Sequence, residues 1–332
     1  VAVVALRSAS RVPADQRGYV RFFLSRDGGT SYSDVGLVSF PLPSEAHTES
    51  VRVVTLPITF EPGPATNERA SLVRVRAVLA LDGLPPTARG TIPRRGQSFD
   101  AEALFEPRPP SVDELLRLAG IPLAPGLLET LGVVGIRKSD PLVPPVVELA
   151  RRYAPFGAWH RALLPTFELS RAARQPRILA SVIGRLPREL GIDYAAAIRR
   201  LDDATDRSAY EDLASVGLDS DARQLVAVLR TKKRAGYLGG LGEEGGLEHV
   251  AFWLDRGDGV LRYEGTASAR VHDVGASREG LLCHAVGLPV DLSLRRGPGR
   301  MRVRAVLSFR ELPSASDPHA LPRFGHHREA LL

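Results

Sequence analysis

The chain repeats itself, and that repeat restricts its possible folds more than any other feature. Residues 20–24 read VRFFL and residues 250–254 read VAFWL. Each run ends in a charged, glycine-rich turn, Arg26-Asp27-Gly28-Gly29 in the first and Arg256-Gly257-Asp258-Gly259 in the second. Next come Asp34-Val35-Gly36-Leu37 and Tyr263-Glu264-Gly265-Thr266. RVRAVL then occurs identically at 74–79 and 302–307, and PRRGQ at 93–97 is answered by PRFGH at 322–326. Upstream, VAVVALR at 1–7 parallels LVAVLR at 225–230. Landmarks in one order at an almost constant separation mark an internal duplication.

Both copies read as β structure. VRFFL and VAFWL are short apolar runs rich in Val and aromatics, closed by Gly/Asp turns of the kind that join hairpins. RVRAVL alternates: Val75, Ala77 and Leu79 are expected inside with Arg74 and Arg76 in water, and Val303, Ala305 and Leu307 are set against Arg302 and Arg304 in the same way. Val20, Phe22, Phe23, Val250, Phe252 and Trp253 complete the expected cores. The segments 51–60 and 285–294 fit strands interrupted by Pro57 and Pro289, which removes a ladder donor and predicts edge or bulged strands. Short strands with regular turn signals predict an antiparallel, immunoglobulin-like sandwich for each copy, with a closed barrel as the alternative. Copy 1 reads as beginning inside its first strand, and copy 2 has extra lead-in from about Tyr210.

Between the copies the period changes. PRPPSVDELLRLAG runs from a proline-rich linker into a capping box, with Ser111 as N-cap and Glu114 three residues on, and Gly120 and Pro122 end that helix. Helical patterns recur at 143–153, 157–174, 176–190 and 193–206, and Pro165 is expected to kink or split the one that contains it. Ile192, Ala195, Ala196, Ile198 and Leu201 hold the spacing of one buried face. The organisation expected is a β-sandwich at 1–106, a small helical bundle at 107–207 and a second sandwich at 208–332. The bundle reads as a spacer, packed on a sandwich or holding the two apart, or as a recognition or oligomerisation element.

Composition narrows the function classes. Hydrophobic residues make up 44% and charged residues 25%, enough apolar material for real cores. No apolar run is long enough to span a bilayer, and no leader pattern opens the chain. The net charge is +6, but the arginines lie scattered among acids, which argues against nucleic acid as a partner; that reading requires Arg74, Arg76, Arg302 and Arg304 to share one face with others. The single cysteine, Cys283, excludes an internal disulfide and reads as a small buried hydrophobe rather than a nucleophile. Low cysteine use favours a reducing, cytoplasmic compartment.

No catalytic constellation stands out, and no motif asks for a cofactor. The chain lacks a G-x-S-x-G elbow, and the glycine-rich stretch from Gly236 to Gly246 lacks the Lys-Ser/Thr pair of a phosphate cradle and carries Glu243 and Glu244. It reads as a flexible loop between strands. His319, His326 and His327 crowd the end of the chain, and His272 stands beside Asp273. Neighbouring histidines on a strand face opposite ways, so a metal set would draw on His272, Asp273 and one terminal histidine such as His326. A hydrolase centred on His272 and Asp273, between the helices and copy 2, is the enzymatic alternative.

The stretches RVRAVL, VAFWLDRGDG, YEGTASARVHDV and LPVDLSLRR resemble modules of large, uncharacterised bacterial proteins. Those modules carry an aromatic "VAFW-D-G-G" strand, a "VHD" strand and an "RVRA-LSW" strand before a Trp-Gly-Asn turn. Here Phe309 stands at the Trp position and Phe324-Gly325-His326 replaces the turn. The paired cysteines of that pattern are absent near Ala214 and Gly242, so its disulfide is not available. The resemblance implies β architecture and bacterial origin, with no activity to carry over. A duplicated module without a shared pocket fits a non-catalytic binding or scaffolding protein, acting through protein partners or self-assembly.

Overall fold

A computed structural model describes residues 2–7, 13, 16–42, 49–56, 58, 71–85, 87, 93–105, 144–191, 193–202, 208–219, 221–240, 243–274, 282–293 and 300–332. The chain is mainly β, with a helical segment between two groups of strands. The first group comprises β1 (Ala2–Arg7), β2 (Arg17–Ser25), β3 (Ser33–Pro41), β4 (Glu49–Val54), β5 (Ser71–Ala80) and β6 (Gly96–Phe105). The helices are α1 (Val146–Tyr153), α2 (Leu164–Ala172), α3 (Pro176–Ile183) and α4 (Tyr194–Asp202). The second group comprises β7 (Glu211–Asp219), β8 (Gln224–Thr231), β9 (Gly246–Asp255), β10 (Leu261–Val271), β11 (Cys283–Pro289), β12 (Arg302–Phe309) and β13 (Gly325–Leu331).

The repeat is visible as topology. One four-stranded sheet runs β3-β2-β5-β6 and another runs β10-β9-β12-β13, all antiparallel and in matching order. Even their irregularities match. The β2/β3 register slips at Phe22/Phe23 and the β10/β9 register slips at Tyr263/Gly265, each a one-residue bulge beside a glycine. Gly36 and Gly265 take φ of 145° and 148°, and a leucine, Leu56 or Leu288, packs where a Cβ would stand. The turns after β2 and β9 are tied by equivalent residues: the Ser25 hydroxyl accepts from the Gly29 amide, and the Asp255 carboxylate accepts from the amides of Gly257, Asp258 and Gly259.

The third sheet joins the two groups. Its order is β1-β4-β7-β8-β11, antiparallel except where β4 meets β7 in parallel through the pair Arg52↔Leu218. Thr55 donates a hydrogen bond to Asp219 across this seam. Strand β7, the first strand of copy 2, pairs with β8 on one side and offers its other edge to β4. The edge expected for Pro289 is found, because β11 ends on that proline at the margin of the sheet; Pro57 lies outside the described residues.

Side-chain directions follow the expected alternation, with three corrections. In copy 1, Val20, Phe22, Val75, Ala77 and Leu79 pack with Phe40 and Val54. In copy 2, Val250, Phe252, Val303, Ala305 and Leu307 lie in the main core with Leu213, Leu225 and Leu229 from the facing sheet. Arg304, expected in water, is buried: the chain after β12 folds back, so its guanidinium donates to the Pro318 carbonyl and pairs with Glu329. The same fold-back covers Trp253, which belongs to a separate outer-face cluster with Ala251, Val306, Leu261 and Leu321 rather than to the core between the sheets. Cys283 is exposed at the start of the marginal strand β11, not buried.

The helices pack on copy 2 and share its core. Leu149, Tyr153, Ala162, Leu163, Phe167, Leu179 and Leu201 are buried in one continuous cluster with the residues of β7, β8, β9 and β12. Pro165 splits the 157–174 pattern: a 3-10 stretch, Trp159–Leu163, gives way to α2 with the proline in its first turn, where its missing N–H costs nothing. The segment 107–120 lies outside the described residues. No described helix is long and apolar enough to cross a membrane.

Candidate functional site

The seam between the helices and copy 2 holds two clusters of buried polar groups. Its first cluster centres on Tyr153, the last residue of α1. The Tyr153 hydroxyl donates to Asp273 Oδ2 at 2.8 Å and accepts from the Leu238 amide at 2.6 Å. Asp273 Oδ1 accepts from the amides of Gly236 and Tyr237 at 2.8 and 2.9 Å. Burial pushes the Asp273 carboxyl up, while these bonds and Arg152 oppose the shift. Arg152 bridges Glu148 on its own helix and Glu243, whose carboxylate also accepts from the Gly240 amide. The glycine-rich loop does join β8 to β9, but it is held from both sides: Ala235, Tyr237 and Leu238 are buried.

The second cluster surrounds a fully buried cation. Arg161, between α1 and α2, has no exposed surface and grips Glu211 in fork geometry at 2.9 and 3.3 Å. Four rings enclose the guanidinium: Tyr210 at 3.6 Å, Phe309 at 4.3 Å, Phe324 at 4.6 Å and Tyr237 at 6.0 Å. Burial raises the Glu211 carboxyl, and the guanidinium beside it pulls the other way. Glu248 on β9 is equally buried, and neither of its oxygens has a hydrogen-bond partner. Burial, then the Glu211 charge, raise it well above the ordinary glutamate value. One guanidinium thus faces two carboxyls, and burial raises both, with Glu248 lacking the direct Arg161 hydrogen bonds that oppose the shift at Glu211. His160 completes the cluster, 3.1 Å from the Tyr210 hydroxyl and kept neutral by burial, its pKa lowered to about 3.

Outside the Arg161 cage, the seam opens into a cleft of about 400 Å³ between α2 and the end of copy 2. Leu164, Phe309 and Phe324 form its apolar part, and Glu168, Arg171, Arg310, Glu311 and Arg323 its polar part. Arg310 is held at φ 64°, a left-handed conformation uncommon outside glycine, and its side chain reaches Glu168 at 3.1 Å.

The residues singled out from the sequence do not converge on this cleft. Asp273 is committed to clipping the glycine-rich loop, and His272 is buried against Gly245. His326 accepts from the Leu213 amide of β7 through Nδ1, at 3.1 Å. Its ring lies 6.2 Å from that of His327, and His319 is exposed. Among the described residues, no three His, Cys, Asp or Glu side chains are placed to hold a metal ion. The arginines required for a nucleic-acid face are divided: Arg76 is paired with Asp100, Arg302 and Arg304 with Glu329, and Arg304 is buried. The Arg161 cage and the cleft were not anticipated. The aromatic residues Phe309 and Phe324, which line both, were the available signal. No protein-family model matches the chain, and no curated protein matches it significantly.

Proposed function

We propose that the chain is a non-catalytic binding or scaffolding component, of the bacterial kind its repeated modules resemble, in which two immunoglobulin-like units at 1–106 and 208–332 are joined into one platform, with the helical unit at 107–207 packed on the second. The observation that carries this reading is the shared sheet: β4 of one copy pairs with β7 of the other, so the modules form a continuous surface rather than beads on a linker. The strand order supports the immunoglobulin-like assignment, with β7-β8-β11 facing β10-β9-β12-β13 across one apolar core. A joined pair presents partner-binding surfaces at fixed separation, the geometry from which a scaffold gains avidity.

The enzymatic alternative at His272 and Asp273 loses support from the Asp273 hydrogen bonds, which serve backbone amides and a buried tyrosine. A turnover screen on ester, amide, phosphoester and glycoside substrates, run beside His272→Ala, separates the two. The scaffold reading predicts no turnover that distinguishes the variant from the parent chain. Turnover that vanishes in a folded His272→Ala protein contradicts it.

A further inference from the structure

The cleft beside α2 has a feature that internal packing does not explain. Arg171 and Arg323 both lean on the ring of Phe167, at 5.8 and 5.1 Å, and neither has an ion-pair partner among the described residues. Every other polar group lining the cleft is balanced or acidic: Arg310 has Glu168, and Glu311 stands exposed. Two guanidiniums sharing one ring repel each other, and Arg323 is only partly in water. Burial, followed by the Arg171 charge, lowers its pKa, and the more distant carboxylates of Asp202, Glu311 and Glu168 offset this only in part. An anion placed between them would relieve this repulsion with the forked hydrogen bonds that guanidinium groups offer carboxylates.

The floor of the cleft is fixed by the core. Phe309 and Phe324 meet edge to face at 6.4 Å, and both are braced by the buried Arg161 guanidinium. With Leu164 they give an apolar wall that cannot collapse into the cavity without breaking the cage. A volume of about 400 Å³ lies in the range of small-ligand sites and exceeds what an inorganic ion needs.

We infer that this cleft binds an organic carboxylate, with Arg171 and Arg323 on the carboxylate and the rest of the ligand in the cleft over the floor that Phe309, Phe324 and Leu164 close. The carboxylate can belong to a free small molecule or to the terminal residue of a peptide, and the test separates these sources. The inference does not depend on the platform reading, since loss of binding leaves the turnover comparison untouched.

Fluorine NMR of 4-fluorophenylacetate, titrated with the full chain, reads binding directly. A pentapeptide ending in phenylalanine competes in a second arm. Saturable binding of the acid is expected, with the neutral amide analogue at least about tenfold weaker. Arg171→Gln changes an exposed residue and should weaken the acid by about tenfold without altering the fold. Glu311→Gln removes a rim acid and should tighten binding about two- to threefold, a gain that a merely structural residue does not produce. Competition by the free-carboxylate peptide but not its amide assigns the peptide source; binding of the small acid alone assigns the free one. Equal binding of acid and amide, binding unchanged in Arg171→Gln, or no saturable binding in either arm overturns the inference.

Discussion

Glu248 shows what burial does to a single side chain. Both of its oxygens are out of water and unpartnered, so burial penalises the ionised form and favours the protonated one. Its folded pKa lies above the ordinary value of 4.5. The unfolded chain therefore releases this proton first, and the associated stability, complete below the ordinary value, is lost as pH rises toward the folded value. His160 behaves in the opposite sense. Its pKa falls from 6.5 to about 3, so its contribution is present above 6.5 and is lost as pH falls through that interval. Glu248→Gln keeps the shape and removes the titration. Thermal melts across pH should show the variant gaining stability over the parent at neutral pH, with the gain shrinking toward acid; parallel curves would contradict the assignment. Alternation does set Glu248 on the inward face with Val250 and Phe252; what the sequence did not reveal is that no partner meets its carboxyl there.

Among the elements, the strands were the most legible because two signals coincided. Period-two alternation placed Val75, Ala77 and Leu79 inside, and the second copy repeated the pattern at Val303, Ala305 and Leu307. Pro165 likewise marked where a helix had to begin again. What alternation could not reveal is a second layer. Arg304 and Trp253 sit at outward positions, and they are buried because the segment after β12 folds back over them. The bulges are the elements' most specific device. Gly265 combines a positive φ with a leucine against its α-carbon, so Gly265→Ala should cost about 1–3 kcal/mol in chemical denaturation. A denaturation midpoint equal to that of the parent would mean that the bulge relaxes freely.

For the whole molecule, the duplication foretold two β units but not how they are joined. The β4–β7 pairing involves residues with no shared motif, and of the two placements expected for the helical segment, packed on a sandwich or between the two, the first is found: it is part of the C-terminal core. A shared apolar cluster holds helices and strands together, and a buried ion pair crosses the same seam. Arginine is normally assigned to the surface, yet Arg161 crosses the seam to Glu211, and removing one partner of such a pair typically costs about 3–5 kcal/mol because the other charge is left stranded. With Tyr153 clipped to Asp273 from the same segment, helices and sheet are expected to open together. Native-state hydrogen exchange resolved by residue tests this most directly. The predicted result is that amides of α1 and α4 open with free energies within about 1 kcal/mol of those of β9 and β12. Helical amides that exchange through a much cheaper local opening, while β9 and β12 stay protected, would contradict the claim that helices and C-terminal strands form one unit.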